Sequence, residues 1–490
     1  MPELSADSIY FFMFPGWATE MRSNRWHYAS RWAKHLPVVL LQPTQVLPSI
    51  FPDTHSDIQL ANVRVLYIQS SRQRGFLSAD QIERIQFAQI ELDMRTHGVT
   101  RPIFWSYNPQ LLNAFVCLPA AFRVYHATED YFRFERLDPS FIDRFTKALN
   151  LSDLVIPVSS GVAHSIAKHA RPQRIMVETN GCDFSFYEAA TDRTERFGLH
   201  GLGTNIAVYA GNVNSRLNFE LLLNACEAHP STAFIVFGPV ADLPADDREL
   251  WKRLLRTANF SYLGVASPEQ LRLIYFEADV GLIPYRATPM IVESGFPLKA
   301  LEMAASGLPV VTTAMNALRG LASGLRVTDS RREFIHTLGI LRRQTLSDEV
   351  ATELVQLARS QNYDEKFNRV VEIVSSLLER SATIAPVAIE LGDHQMNASN
   401  SARANSELQR FGYPAPRHLN ILRASSWTGY LRLAGVRLAE LAIVTLRFLR
   451  SLPGTMRYGR PRLFDPFALQ RKLRRLASTT RANVVDGVRR

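Results

Sequence analysis

The chain has 490 residues, 46% of them apolar and 21% charged, with a formal net charge of +10. That is enough for two full globular domains plus extras. Three widely spaced cysteines (Cys117, Cys182, Cys226) form no metal-ligand pattern and argue against a disulfide framework and for a reducing compartment. The first thirty residues lack a charged segment followed by a clean apolar core, so no secretory signal is expected. Nor does any run approach the roughly 20 apolar residues of a membrane span. The charge is uneven. Residues 416–490 hold 16 Lys and Arg against Glu440, Asp465 and Asp486, a net +13, which leaves the rest of the chain at −3.

In chain order, Ser8 to Phe14 reads as an apolar strand, followed by the loop Pro15-Gly16-Trp17 and a helix around Arg25 to His35. Pro37 to Gln42 and Val63 to Gln69 are two further buried strands, and Ser78 opens a helix running to about Thr96. Strands at Pro102 to Ser106, Arg123 to His126, Leu154 to Val158 and Arg174 to Glu178 keep the alternation with helices. That rhythm predicts a parallel sheet covered by helices on both faces. Asn180-Gly181 is expected to be a tight turn with positive φ. A second series begins at Asn205, with strands at Ile206 to Ala210, Ala233 to Phe237, Phe260 to Leu263, Val280 to Ile283 and Leu308 to Thr312. Helices between Ser330 and Arg380 close this half and are expected to cross back to the first.

Residues 381–415, rich in Ala, Ser and Asn, read as a flexible linker. Beyond them, candidate helices near 425–450 and 466–478 set Trp427, Leu431, Leu438 and Leu441 on one side and arginines roughly opposite. The expected division is therefore 1–187, 188–380, the linker 381–415 and a basic amphipathic helical extension 416–490.

The stretch 289–313 carries the most chemistry. Pro297 suits the first position of a short helix, which Gly307 closes. Lys299 sits in its first turn with Glu302 three residues on, on the same face. A helix N-terminus with a lysine suits a diphosphate, and a carboxylate one turn deeper can accept from a ribose diol. The turn after Ala210 brings Gly211, Asn212 and Arg216 to another strand end, where a guanidinium fork fits phosphate oxygens. In the first half, the strand ending at His126 runs into Glu129 and Asp130. Ionisable groups past a strand end are what acid–base work on a sugar hydroxyl requires. Asp130 could equally cap the next helix. Trp17, Arg22, Asn24 and Arg25 could contact an acceptor sugar.

PLKALEMAASGLPVV resembles the donor-nucleotide segment of GT-B glycosyltransferases, in the form found in bacterial polysaccharide enzymes related to family 4 and similar to teichuronic-acid-type enzymes. VSSGVAHSIA and ETNGCDFSFY resemble the close of that fold's first domain, and GNVNSRLNFELL with FIVFGPV its second. The resemblance implies an α/β, GT-B architecture: two Rossmann-like parallel-sheet domains facing a cleft. It implies a ribose ligand at Glu302 and a second donor-side acid at Glu293. Eight residues separate the two here, against seven in the family's E-x7-E element. By the same resemblance Asp130 matches an acidic position near the transferred sugar, with Glu129 and His126 as further matches.

The expected function is transfer of a sugar from a nucleoside-diphosphate sugar to a saccharide or lipid-linked saccharide in surface polysaccharide biosynthesis. A nucleotide-sugar epimerase or a catalytically silent glycan- or membrane-binding scaffold are the alternatives. Inverting and retaining outcomes both stay open. No cofactor or buried metal is expected, with a soluble Mg²⁺ accompanying the nucleotide left open. The apolar stripes beside the tail's arginines favour an anionic membrane surface over nucleic acid. The expected location is cytoplasmic, peripheral at the inner face of the cell membrane.

Overall fold

The computed structural model describes residues 4–383, apart from 15–16, 18–21, 45–52, 57–59, 70–77, 135–137, 189–194 and 204. The expected loop at Pro15-Gly16, most of the expected linker and the basic extension lie outside these residues.

Two sheets organise the chain. The first contains β1 (Ser8–Phe12), β2 (Val38–Thr44), β3 (Asp53–Ser56), β4 (Val63–Gln69), β5 (Pro102–Ser106), β6 (Phe122–Ala127) and β7 (Leu154–Pro157), in the order β3-β4-β2-β1-β5-β6-β7. The second contains β8 (Ile206–Ala210), β9 (Ala233–Phe237), β10 (Phe260–Tyr262), β11 (Val280–Ile283), β12 (Val310–Thr313) and β13 (Leu325–Thr328), in the order β10-β9-β8-β11-β12-β13. Every pairing is parallel except β3 with β4. Each sheet therefore reverses strand order beside its first strand, and the crevice opens at the carboxyl ends there.

The strands form where the sequence is continuously apolar because both faces are covered. All residues of β1, β5 and β8 are buried. Sequence reading missed β3 (DTHS), which is polar and antiparallel at the sheet edge, and β13 (LRVT), which is only four residues long. Arg174 to Glu178 runs beside β7 as an extended segment joined by a single bridge, Val155 to Ile175, rather than as a regular strand.

Ser78 caps its helix, Ala79–Thr96, reciprocally with Gln81. The last described helix, Tyr363–Thr383, returns to the first lobe. Its Tyr363, Phe367, Val370, Val371, Val374 and Leu378 pack into the core with Tyr28, Trp32 and Trp105. Each such side chain contributes about 2 kcal/mol of burial. Lys366 on this helix donates to Glu178 and Thr179, both at 2.8 Å.

The Asn180-Gly181 pair is not a positive-φ turn. Gly181 is required for a close approach instead, since a Cβ there would sit 2.9 Å from the carbonyl oxygen of Gln361 and from the Tyr363 ring. Asn180 accepts from Asn24 at 2.9 Å and donates to the carbonyl of Phe296 at 2.7 Å, which joins the lobes. Among the described residues, no helix is long and apolar enough to cross a membrane.

Candidate active site

A cleft of about 640 Å³ lies between the carboxyl ends of the two sheets. Its second-lobe wall begins where β8 ends. Gly211 (φ +143°) and Gly238 (φ +129°) lie back to back, a Cβ on Gly238 falling 2.0 Å from the Gly211 carbonyl oxygen. A Cβ on Gly211 would meet the ammonium of Lys299 at 2.1 Å, so only glycine leaves that charge its place. The Asn212 carbonyl accepts from the Tyr209 hydroxyl at 2.9 Å. Asn214 turns the loop by accepting from the Arg216 N–H at 3.0 Å.

Helix Leu298–Ala305 follows, with Pro297 at its N-cap rather than inside the first turn. Its end is a Schellman motif: Gly307 (φ +63°) donates to Ala304 at 2.9 Å and Leu308 to Met303 at 3.0 Å. Lys299 points from the first turn into the cleft, its Nζ 4.1 Å above the Tyr209 ring. Glu302 lines the cleft one turn deeper. Burial pushes its carboxyl up to about 7, against the opposing pull of Lys299 and of the Tyr187 hydroxyl.

The two lobes meet in a polar seam. Arg216 pairs with Glu129 at 2.8 Å. Arg133 donates to Asp130 at 2.9 Å and pairs with Glu293 on the other side. Asp130 also accepts from Ser165 at 2.7 Å and from Ser294 at 2.9 Å. Ser159 caps its own helix, Ser160–His169, by accepting from Val162, and donates to the Ser294 carbonyl at 2.9 Å. Two positions on, a Cβ on Gly161 would fall 1.7 Å from the Glu293 carbonyl oxygen. The VSSG run is thus the docking face for the turn Met290–Ser294.

Gly211, Asn212, Arg216, Lys299, Glu302, Glu129 and Asp130 all line the cleft. Glu293, expected on the donor side, is not among the residues lining the cleft; it pairs with Arg133 in the seam. His126 is a correction. It is wholly buried, stacked on Tyr107 at 4.9 Å and edge-on to Tyr28 at 4.7 Å, with no hydrogen-bond partner on either ring nitrogen. Burial holds its pKa down to about 3, so it is a neutral core aromatic with no route for a proton to the cleft. Asp130 is likewise no open base: it is 2% exposed and its carboxylate already accepts three side-chain donors. It makes no cap bond to the turn Tyr131–Arg133 either.

Sequence reasoning missed Ser294, Arg133, Tyr187 and Tyr285. The VSSG glycine was the signal available for the seam; the tyrosines had none, because aromatics beside strands usually read as core. Trp17 is packed in the core and donates its backbone N–H to Gln42 at 2.9 Å. Ser23, Asn24 and Arg25 reach the cleft from the first lobe. Among the described residues, no cluster of His, Cys, Asp or Glu is arranged to hold a metal ion.

Two doubly wound sheets of this order, facing one another across such a cleft, define the GT-B class. Sucrose-phosphate synthase from Thermosynechococcus elongatus superposes with a TM-score of 0.59 at 13% identity, over 76% of this chain and all of that one. The trehalose-6-phosphate structure from E. coli bound with UDP-2-fluoro glucose gives 0.60 at 12% identity, over 75% and 99%. Anabaena HepE in complex with UDP and glucose gives 0.53 at 16% identity, over 76% and 100%. At such identities the likeness is one of fold. Residues 204–357, most of the second lobe, match the Glycosyl transferases group 1 family. TuaH of Bacillus subtilis (strain 168), named for teichuronic acid biosynthesis, is 27% identical over 141 residues, 29% of this chain and 34% of its own length. The match thus spans about a third of that relative.

Proposed function

We propose that the protein transfers a sugar from a nucleoside-diphosphate sugar to a saccharide or lipid-linked saccharide in surface polysaccharide biosynthesis. One observation carries the reading: Lys299, Arg216 and Glu302 line one cleft at the carboxyl edge of the second sheet. The two cations and the N-terminus of helix Leu298–Ala305 take the diphosphate, and Glu302 takes the ribose hydroxyls. As the bond to the sugar breaks, charge builds on the departing diphosphate, where these preorganised groups stabilise it. Glu129, beside the first-lobe wall, is the carboxylate nearest to serving the acceptor; a diphosphate that draws Arg216 away releases it from its ion pair. Asp130 acts as a strut. The complex of Anabaena HepE with UDP and glucose, and a relative named for teichuronic acid biosynthesis, support the donor class and the kind of product.

The arginine-rich residues 416–490 dock the enzyme on an anionic membrane, where a lipid-linked acceptor would lie; the net charge of +13 supports this.

A thermal-shift panel of UDP-, GDP- and ADP-sugars tests the donor reading. One donor class at about 100 times its Kd should stabilise the wild type by about 2.7 kcal/mol, and Lys299→Ala should abolish the shift. An equal shift in Lys299→Ala would show that the donor site lies elsewhere.

A further inference from the structure

Pro284, Tyr285 and Arg286 follow β11, next to the strand end that carries Arg216. The backbone laces the two segments together. The Asn218 N–H donates to Pro284 at 2.8 Å, the Arg286 N–H donates to the Arg216 carbonyl at 2.8 Å, and Leu217 bridges Tyr285 antiparallel. The Arg286 guanidinium repeats the hold from the side chain. Its Nε donates to the carbonyls of Ser215 (3.0 Å) and Leu217 (3.1 Å), one on each side of Arg216, and its outer nitrogen pairs with Asp247.

Tyr285 meets the other cation. Its ring centroid is 5.4 Å from the Lys299 ammonium and 6.5 Å from the Tyr209 ring, over which that ammonium sits. The Lys299 charge acts on its hydroxyl. Burial would raise the phenol, yet the Lys299 charge, with contributions from Tyr209 and Arg216, outweighs it and holds the group below its ordinary range. A lysine is a point charge on a flexible stem. Held over the Tyr209 ring and beside that of Tyr285, it has little searching left to do when a phosphate arrives.

We propose that Tyr285 and Arg286 are positioning residues for the donor diphosphate, Tyr285 orienting the Lys299 ammonium and Arg286 fixing the loop that aims Arg216. One strand end thereby sets the spacing of two cations that lie far apart in the sequence. This rests on reading the cleft as a nucleoside-diphosphate-sugar site.

The test is calorimetric titration of the full chain with UDP, GDP and ADP and their monophosphates, in the wild type, Tyr285→Phe, Arg286→Lys and Lys299→Ala. For the base that binds, the preference for diphosphate over monophosphate should fall about tenfold in Tyr285→Phe and in Arg286→Lys. Monophosphate affinity, which also reports the fold, should stay within about twofold. A preference that falls in Lys299→Ala but holds in the other two overturns the positioning roles alone; if it holds in only one, that residue's role falls. A preference unchanged in Lys299→Ala, or no binding of any diphosphate, overturns the donor-site reading and this proposal with it. Tyr285→Phe keeps the ring and removes one oxygen, so its result stands even if Arg286→Lys fails to fold.

Discussion

Asp130 accepts a hydrogen bond of 2.9 Å from Ser294, 164 positions later and in the opposite lobe. With Ser165 at 2.7 Å and Arg133 at 2.9 Å, the contact turns a residue placed for chemistry into the strut on which the lobes close. Removing the carboxylate orphans two hydroxyls at a buried site and takes from Arg133 one of its two acidic partners. Asp130→Ala should therefore lower unfolding stability by about 3 kcal/mol, read from urea denaturation. A general base on the surface of the cleft would leave stability unchanged and lower only turnover.

Gly161 tests the same seam sterically. A methyl group there would lie 1.7 Å from the Glu293 carbonyl oxygen and 2.5 Å from its carbon, both backbone atoms that cannot swing away. In Gly161→Ala the lobes must part. Transfer activity should fall about 100-fold, with an enlarged radius of gyration in small-angle scattering. Unchanged activity and unchanged scattering would mean that the seam does not hold the productive geometry.

Glu302 links pH to both stability and donor binding. Its carboxyl titrates near 7 in the fold and in the usual carboxylate range when unfolded, so the folded state binds more protons between. The contribution of Glu302 to stability is thus greatest at low pH and is lost as pH rises from about 4.5 through about 7. Above that window Glu302→Gln should be more stable than the wild type by about 2 kcal/mol, measured by thermal melts across the range. Donor binding should run the opposite way. Affinity weakens as pH falls below about 7 and the acceptor is protonated, and the glutamine variant should show a flat profile over the same range. A wild-type profile as flat as that of Glu302→Gln would remove the carboxylate from the ribose.

For residues 416–490, sedimentation with anionic vesicles separates membrane docking from a tail that stays with the protein. The full chain should pellet at low salt and be released by about 0.5 M salt, while a chain ending at Thr383 should remain in the supernatant. Equal pelleting of the two would remove the membrane role.

The donor side was legible because its information is local. Pro297, Lys299, Glu302 and Gly307 lie within three helical turns, where spacing alone decides which side chains share a face and where the helix ends. Most of the strands followed from continuous apolar runs such as β1 and β8, since a segment covered on both faces can be apolar throughout. Polar β3 and short β13 carry no such run and stayed hidden.

Exposure after a strand end was a different matter. His126, Glu129 and Asp130 lie within five residues, and nothing in that spacing distinguishes a core aromatic, a cleft carboxylate and a buried strut. Tyr107 and Tyr28 pack over the first, Arg216 meets the second and Ser294 reaches the third, each from a distant part of the chain. Periodicity by itself determined the strands of the two sheets and helix Leu298–Ala305, because backbone hydrogen bonding and burial repeat over a few residues. Which polar groups face water and which are spent joining the lobes was decided only when the tertiary structure brought those distant partners within 3 Å, since desolvation and pairing depend on neighbours that local sequence does not contain.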